Sequence, residues 1–216
     1  MTQKLQIDFV SDVACPWCAI GMYGLEEALR RLEGVVDADV HFQPFELNPG
    51  MRPEGQNLDE HIGEKYGGPP EQLAASRNVL RERAAGVGFE FNSSSKSRVY
   101  NTFDAHRLLH WARNMGRQRE LKRALFKANF TDDANVSDPE LLVAVAASAG
   151  LDPTEAREIL SSRRYATEVR EAETLWTSRG IHAVPGVIIN GKWLISGGQP
   201  PEIFEQALRN IATGLT

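Results

Sequence analysis

Cys15 and Cys18 are the only cysteines in this chain, and they lie between two segments with different hydrophobic patterns. Residues 5–10 alternate apolar and polar side chains, which predicts a strand. Residues 19–32 repeat apolar side chains at helical spacing, which predicts a helix. A fold that accommodates this order must place a two-cysteine turn between a strand and the first turn of a helix.

The position of Cys15 at the start of the predicted helix points to redox chemistry. Unpaired backbone N–H groups and the positive end of the helix dipole both favour a thiolate there. Pro16 suits the first helical position, because its missing N–H would have no partner and its φ is already helical. We therefore predict that Cys15 is the nucleophile and that Cys18, one turn later, resolves a mixed disulfide formed at Cys15.

Three other uses of the cysteine pair stay open at this point. A structural zinc site normally has four Cys or His ligands, and the sequence has no second cysteine pair. A purely structural disulfide would close so short a loop that it would contribute only about 2 kcal/mol. Two reduced cysteines could also serve as small buried hydrophobic residues.

The composition is that of a globular protein, with 42% hydrophobic and 25% charged residues. A net charge of −5 without a stripe of lysine and arginine argues against a nucleic-acid partner. The N-terminal residues lack a hydrophobic signal core, and no apolar run reaches the length of a membrane span. We therefore expect a cytoplasmic protein with no membrane partner. A lone pair of closely spaced cysteines there is more often catalytic or metal-binding than structural.

The segments around the cysteines predict a βαβ unit. Residues 40–47 form a second strand pattern, and Pro44 within it indicates a sheet edge or a bulge. A strand, a helix and a second strand in this order favour a parallel pair with a right-handed crossover.

From Asn48 onward, loop and helical patterns replace the strand pattern for more than a hundred residues. Residues 137–140 open a helix that Gly150 stops, and Asp152 with Glu155 has the spacing of a capping box. This part of the sequence predicts a helical insertion without strands.

The strand pattern returns near the end of the chain. A helix with one apolar face, formed by Val169, Ala172, Leu175 and Trp176, precedes a strand at residues 186–189. Asn190-Gly191 is a strong signal for a type I′ hairpin, and a closing amphipathic helix follows. The order is therefore βαβ, a helical insertion, and αββα.

The sequence resembles the DsbA-like branch of the thioredoxin superfamily, and within it the FrnE-like oxidoreductases. The resemblance covers nearly the whole chain and rests on residues 12–18, 44–49, 101–108 and 184–187. It implies an α/β, thioredoxin-like fold formed by residues 1–50 and 165–216, which a helical insertion domain at residues 51–164 interrupts. It also implies thiol–disulfide chemistry at Cys15 and Cys18 without a bound cofactor other than the redox-active disulfide, with glutathione as a candidate reductant.

Further site residues follow from the same resemblance. It implies that the Val184–Pro185 bond is cis and lies beside the cysteines, where the Val184 backbone can pair with an extended substrate. Related proteins place residues 101–108 opposite the redox motif, so Asn101 and His106 are expected to line the substrate groove. Pro16 and Trp17 are expected at the same surface, and Trp17 is either a substrate platform or a packing residue.

Two acid–base features leave alternatives open. Asp12 could relay a proton to Cys18, or it could be an exposed acid at the end of a strand. His106 and His110 are one helical turn apart, a spacing that can hold a metal. No third ligand has a recognisable spacing, so we predict no metal site.

The leading hypothesis is a cytoplasmic thiol–disulfide oxidoreductase or isomerase that acts on protein disulfides or small thiols as a monomer or homodimer. The alternative is a glutathione-dependent small-molecule isomerase or transferase related to 2-hydroxychromene-2-carboxylate isomerase, or an accessory enzyme of polyketide biosynthesis. Relatives of the isomerase and kappa transferase type usually carry serine at the position of Cys15. A non-catalytic binding module is the third class.

Overall fold

The computed structural model describes residues 2–67 and 69–215, so Met1, Gly68 and Thr216 lie outside the described residues. In chain order its elements are β1 (Gln3–Ser11), α1 (Pro16–Arg31), β2 (Val36–Pro44), β3 (Gln56–Asn57), α2 (Leu58–Tyr66), α3 (Pro70–Gly86), β4 (Arg98–Val99), α4 (Phe103–Asn114), α5 (Gln118–Phe126), a π-helical turn (Lys127–Thr131), α6 (Pro139–Ser148), α7 (Pro153–Ser161), α8 (Ala166–Ser178), β5 (Gly186–Ile189), β6 (Trp193–Ser196) and α9 (Pro201–Thr213).

The main sheet has the strand order β2-β1-β5-β6. β1 is parallel to β2 and antiparallel to β5, which pairs with β6 through the predicted hairpin. Asn190 and Gly191 both have the positive φ, 51° and 65°, that a type I′ turn requires. The βαβ unit and the hairpin are therefore confirmed.

The second strand lies earlier in the chain than the sequence pattern suggested. β2 begins at Val36 and ends at Pro44, whereas the prediction was residues 40–47. An edge strand is half exposed and tolerates polar side chains such as Asp37 and Asp39, so its start lacks a clear apolar pattern. Pro44 ends this edge strand, as its missing N–H favours.

Two hydrophobic clusters stabilise the fold. One lies around the main sheet, with Phe9, Leu25 and Phe204 at its centre, and it also includes Phe126 and Phe130 from the insertion. The second lies among the helices of the insertion and is formed by the apolar faces of α4, α5, α6 and α7. Val13, from the loop just before the cysteines, is fully buried in this second cluster. The loop that carries Val13 and the cysteines is thus packed against both regions.

The insertion follows the helical prediction with two corrections. β3 and β4 form a small antiparallel sheet that is too short for a strand pattern to reveal. Asp152 does cap α7 through the Thr154 N–H, but the Glu155 carboxylate pairs with Arg164 instead of completing a capping box. Asp138 caps α6 as predicted.

On α8, Val169 and Trp176 are buried as predicted, whereas Leu175 is exposed, so the apolar face is narrower than expected. Among the residues that the structure describes, we find no helix with the length and apolarity needed to cross a membrane. Together these elements confirm the predicted α/β core with a helical insertion.

Candidate functional site

Cys15 is the N-cap residue of α1, and Pro16 is the first residue of the helix. The carbonyl oxygen of Cys15 accepts hydrogen bonds from the backbone N–H groups of Cys18, at 3.0 Å, and Ala19, at 3.3 Å. Both cysteines are free thiols, and they approach each other to about 3.3 Å. Cys18 is fully buried, whereas 4% of Cys15 is exposed. The structure thus joins the two predicted redox residues and leaves only Cys15 open to solvent.

The Cys15 thiol faces the backbone of Val184. Its Sγ atom donates to the Val184 carbonyl oxygen at 3.7 Å, and the Val184–Pro185 bond is cis, as predicted. The Pro185 carbonyl oxygen accepts from the Gly197 N–H at 2.8 Å, which ties this loop to the end of β6. A backbone carbonyl is therefore held beside the sulfur atom of Cys15, the residue predicted from the sequence to be the nucleophile.

Trp17 lies between the two cysteines, with 37% of its surface exposed. Its backbone packs against Gly198, where an added Cβ atom would come within 2.5 Å of the Trp17 carbonyl oxygen. Only glycine allows this close approach, so the 197–199 loop is a part of the site that the sequence analysis missed. The glycine pair was visible in the sequence, but its contact with Trp17 arises from packing across the chain.

Asp12 is buried at the junction between the sheet core and the insertion. Its carboxylate accepts from the Leu47 N–H and the Thr102 hydroxyl, each at 2.7 Å, and from the Ala14 N–H at 3.1 Å. Oδ1 also lies 3.4 Å from Nε2 of His106. Burial acts to raise the pKa of Asp12, but the hydrogen bonds and the charge of His106 outweigh it and hold the pKa below its ordinary value. The alternative of an exposed acid is therefore wrong.

The two residues predicted to line a groove have different surroundings. Asn101 is partly exposed, and its side chain accepts from the Phe103 N–H at 2.9 Å and donates to the Pro49 carbonyl oxygen at 3.5 Å. His106 is only 2% exposed and faces Asp12, so it lies beneath the surface and does not line an open groove. The sequence could not show this, because the burial of His106 depends on packing against the strand-end loop.

The structure offers no metal centre in residues 2–67 and 69–215, where no three His, Cys, Asp or Glu side chains are grouped to hold an ion. His110, one turn from His106, stacks on the Tyr165 ring with 5.1 Å between the ring centroids. The pair of histidines therefore has separate packing roles.

Lys122 on α5 is a candidate functional residue that the sequence analysis missed. It is fully buried, and its Nζ atom makes no hydrogen bond within the described part of the chain. Nζ lies 5.0 Å from the centroid of the Phe126 ring. Burial lowers the pKa of Lys122 to about 8, although the charges of Cys18, Asp12 and Cys15 act to raise it. The sequence feature that could have revealed this burial is the position of Lys122, four residues before Phe126 on the same face of an amphipathic helix. A lysine is ordinarily expected at the surface, so the sequence analysis did not single it out.

The pKa of the Cys18 thiol is also shifted by its surroundings. Burial raises the pKa of its thiol well above the ordinary value, and the neighbouring Cys15 adds to the rise. The charge of Lys122 opposes this rise. Cys18 therefore loses its proton only with difficulty in this environment.

A carboxyl pair lies close to this site. Arg170 on α8 donates hydrogen bonds to both Glu46 and Glu173. Burial raises the pKa of Glu46, with the charge of Glu173 as the next cause, and burial likewise raises the pKa of Glu173. One guanidinium group is therefore shared by two partly buried acids.

Known proteins share this architecture. Residues 6–209 match the family model of the DSBA-like thioredoxin domain. A crystal structure of a probable DsbA oxidoreductase from Streptomyces coelicolor is 35% identical, with a TM-score of 0.90 over 98% of this chain and 91% of that protein. The uncharacterized protein YwbO of Bacillus subtilis (strain 168) is 28% identical over 205 residues, which are 94% of this chain and 96% of YwbO. The cytosolic disulfide reductase DsbM from Pseudomonas aeruginosa is 16% identical and shares the fold, with a TM-score of 0.64 over 96% of this chain and 99% of DsbM.

Proposed function

This chain belongs to the DSBA-like thioredoxin domain family, and from that premise we propose that it is a thiol–disulfide oxidoreductase that works through Cys15 and Cys18. The observation that carries the proposal is the position of the Cys15 sulfur. It lies at the N-cap of α1, beside Cys18 and 3.7 Å from the Val184 carbonyl oxygen. A thiol at a helix N-terminus, with a second thiol within reach, has the arrangement that disulfide exchange needs.

The reaction has two exchange steps. The Cys15 thiolate attacks one sulfur of a substrate disulfide, so a mixed disulfide forms and the first substrate thiolate leaves. Cys18 then loses its proton and attacks the Cys15 sulfur, which releases the second substrate thiolate and leaves a Cys15–Cys18 disulfide. A thiol reductant, with glutathione as the candidate, returns the pair to the reduced state. Running in reverse, the same steps oxidise a substrate dithiol.

The surroundings of Cys15 support protein disulfides as substrates, with small thiols as further partners. The backbone next to Pro185 can bind the main chain of an extended peptide without selecting a particular side chain. The half-exposed Trp17 ring offers an apolar contact next to the thiol. Within the family, we propose a FrnE-like enzyme of the cytoplasm that acts as a monomer or homodimer. The cytosolic location stated for DsbM supports that setting.

The test is reduction of insulin in the presence of glutathione, together with refolding of scrambled ribonuclease. We expect turnover by the wild-type protein, no turnover by Cys15→Ser, and accumulation of mixed disulfides by Cys18→Ser. Full turnover by Cys15→Ser would contradict the mechanism. A glutathione-conjugation assay on the same samples tests the alternative of a small-molecule isomerase or transferase, and activity there without disulfide exchange would favour that alternative.

A further inference from the structure

A small cavity lies where the edge strand of the main sheet meets three helices. Its volume is about 80 Å³, and residues of β2, α4, α5 and α8 form its wall. A polar space of this size can hold small ligands, since one water molecule needs roughly 10–15 Å³ on this measure. Neither Cys15 nor Cys18 belongs to the described wall. A ligand held in this cavity would therefore be separate from the sulfur atoms that exchange.

The charges in the wall of this cavity have one sign. The described wall contains no acidic side chain, and its four side chains that are cationic or can become so are His106, His110, Arg113 and Lys122. A small cavity lined by one sign of charge concentrates ions of the opposite sign. The composition of the wall therefore favours an anion over a cation.

Lys122 carries the charge in this wall that most needs a partner. It is fully buried, and its Nζ atom makes no hydrogen bond within the described part of the chain. Lys127, in the π-helical turn that follows α5, is by contrast 62% exposed and donates to the Asp132 carboxylate at 2.7 Å. Burying an ammonium group without a partner is strongly unfavourable, and a lysine stem normally carries its charge out to water. A negatively charged ligand in the cavity would account for the position of Lys122.

A second buried polar atom of the wall also lacks a hydrogen bond. It is Nε2 of His106, whose surface is only 2% exposed. Asp12 is the buried acid nearest to this wall, and its Oδ1 atom lies 3.4 Å from that Nε2. The Asp12 carboxylate already accepts from two backbone N–H groups and one hydroxyl group. It is therefore engaged elsewhere and leaves the Lys122 donors without an acceptor.

We propose that this cavity binds a small monovalent anion, of the size of chloride, with the Lys122 ammonium group as its main donor. A single buried positive charge balances a single negative one, so a divalent oxyanion would keep uncompensated charge inside the protein. Arg113 is exposed, and water screens its charge at the edge of the wall. The site is separate from disulfide exchange and does not depend on it.

Binding of an anion is linked to the protonation of Lys122. Burial lowers the pKa of Lys122 to about 8, so at pH 7 most of the amine is protonated. An anion binds the protonated amine more tightly, so it raises this pKa, and its affinity falls as the pH rises above that value. The charged and titratable groups that face Lys122 from the neighbouring elements are Asp12, Cys15, Cys18, His106, His110 and Arg113.

The first test is thermal unfolding at pH 7 with chloride exchanged for gluconate at constant ionic strength, because gluconate is too large for the cavity. We expect the wild-type midpoint to rise with chloride and then level off, by about 4 °C at ten times the half-saturating concentration. Lys122→Met should show no such rise, whereas Lys127→Met is the matched control and should behave as the wild type. The same chloride dependence in all three proteins, none in the wild type, or a rise with sulfate alone would overturn the proposal.

Two further measurements need no substitution at Lys122. In crystals soaked in sodium bromide, anomalous scattering should place a bromide ion in the cavity within hydrogen-bonding distance of the Lys122 Nζ atom. In protein with ¹³C-labelled lysine, NMR should show Lys122 titrating about one pH unit higher in saturating chloride than in gluconate. Water alone in the cavity would overturn the proposal. Bromide in the crystal with an unchanged titration midpoint would mean an adventitious ion only and would overturn it as well.

Discussion

The sheet core and the helical insertion contribute to the candidate redox site in different ways. The core holds the sulfur atoms through backbone geometry, with Cys15 at the start of α1 and the Val184 carbonyl oxygen beside it. The insertion contributes side chains, including Thr102, His106 and Lys122, that surround Asp12 and Cys18. The core therefore determines where the sulfur atoms lie, and side chains of the insertion affect the pKa values of Asp12 and Cys18.

The two regions are joined closely at the redox loop. Val13 is buried among the helices of the insertion, and its carbonyl oxygen accepts from the Asn129 side chain at 3.1 Å. The Gln118 side chain bonds to both the N–H and the carbonyl oxygen of Phe42 at 2.9 Å, and so covers the edge strand β2. Each prediction below tests how far the roles of the two regions can be separated.

The largest effect is expected at Asp12, where core and insertion meet. In Asp12→Ala the Leu47 N–H and the Thr102 hydroxyl lose their buried acceptor, and the buried His106 ring loses the carboxylate that lies 3.4 Å from its Nε2 atom. We expect the free energy of unfolding to fall by about 4 kcal/mol, measured by urea denaturation at pH 7. The pKa of Asp12 is lowered in the folded protein. Its carboxylate therefore contributes fully to the free energy of unfolding above its ordinary pKa, and this contribution is lost as the pH falls through the lowered pKa of the folded state.

Asp8→Ala is the matched control for this variant. Asp8 is also buried on β1, but its carboxylate accepts from the side chains of Gln6 and Gln43, both in the core. These amides can turn to water, so we expect a loss of only about 1 kcal/mol. Equal losses in the two variants would show that hydrogen bonds between the core and the insertion contribute no more to the free energy of unfolding than those within the core.

A pair of truncations tests whether the two regions unfold together. Leu25 lies in the cluster around the sheet and Leu125 in the cluster of the insertion, and both are buried. Each change to alanine should lower the free energy of unfolding by about 3 kcal/mol. We expect one transition in each variant, by circular dichroism and by tryptophan fluorescence, because Phe126 and Phe130 pack into the cluster that contains Leu25. Two separate transitions in Leu125→Ala would show that the insertion is an independent unit.

The same division explains which features could be predicted from the sequence. The strand–turn–helix at the cysteines and the hairpin at Asn190 depend on residues close in the chain, so local patterns revealed them. Asp12 is buried against Leu47 and Thr102, which lie 35 and 90 residues further along the chain, and Lys122 lies more than a hundred residues from Asp12 and Cys18. No local pattern carries that information. The contact of Gly198 with Trp17 has the same origin.

We expect Lys122 to destabilise the fold, because its ammonium group is fully buried and has no hydrogen-bond acceptor among the described residues. Methionine has a similar shape without the charge, so Lys122→Met should raise the free energy of unfolding at pH 7 by about 2 kcal/mol. The pKa of Lys122 falls from its ordinary value to about 8 in the fold. Between that pH and about 10.5, the unfolded chain binds the proton that the folded protein has released, so the wild type gains stability as the pH rises.

The advantage of Lys122→Met should therefore shrink across that window, and Lys127→Met should show neither the gain nor its pH dependence. A gain that stays constant with pH would mean that packing, rather than the buried charge, is responsible.

The smallest effect is expected at the carboxyl pair, where the core itself holds buried charge. Burial raises the pKa of Glu173 in the folded protein. The stabilisation that comes from protonated Glu173 is therefore fully present below its ordinary pKa, and it is lost as the pH rises through the raised pKa of the folded state. Glu173→Gln stays neutral, so it should exceed the wild type in stability only as the pH rises, by about 0.5 kcal/mol at pH 7 after solvent screening. Glu171→Gln, an exposed glutamate on the same helix, is the control for urea denaturation at pH 4 and pH 7. A gain as large as that of Lys122→Met would mean that the core stores as much unfavourable charge as the insertion, and the division of roles between the two regions would then fail.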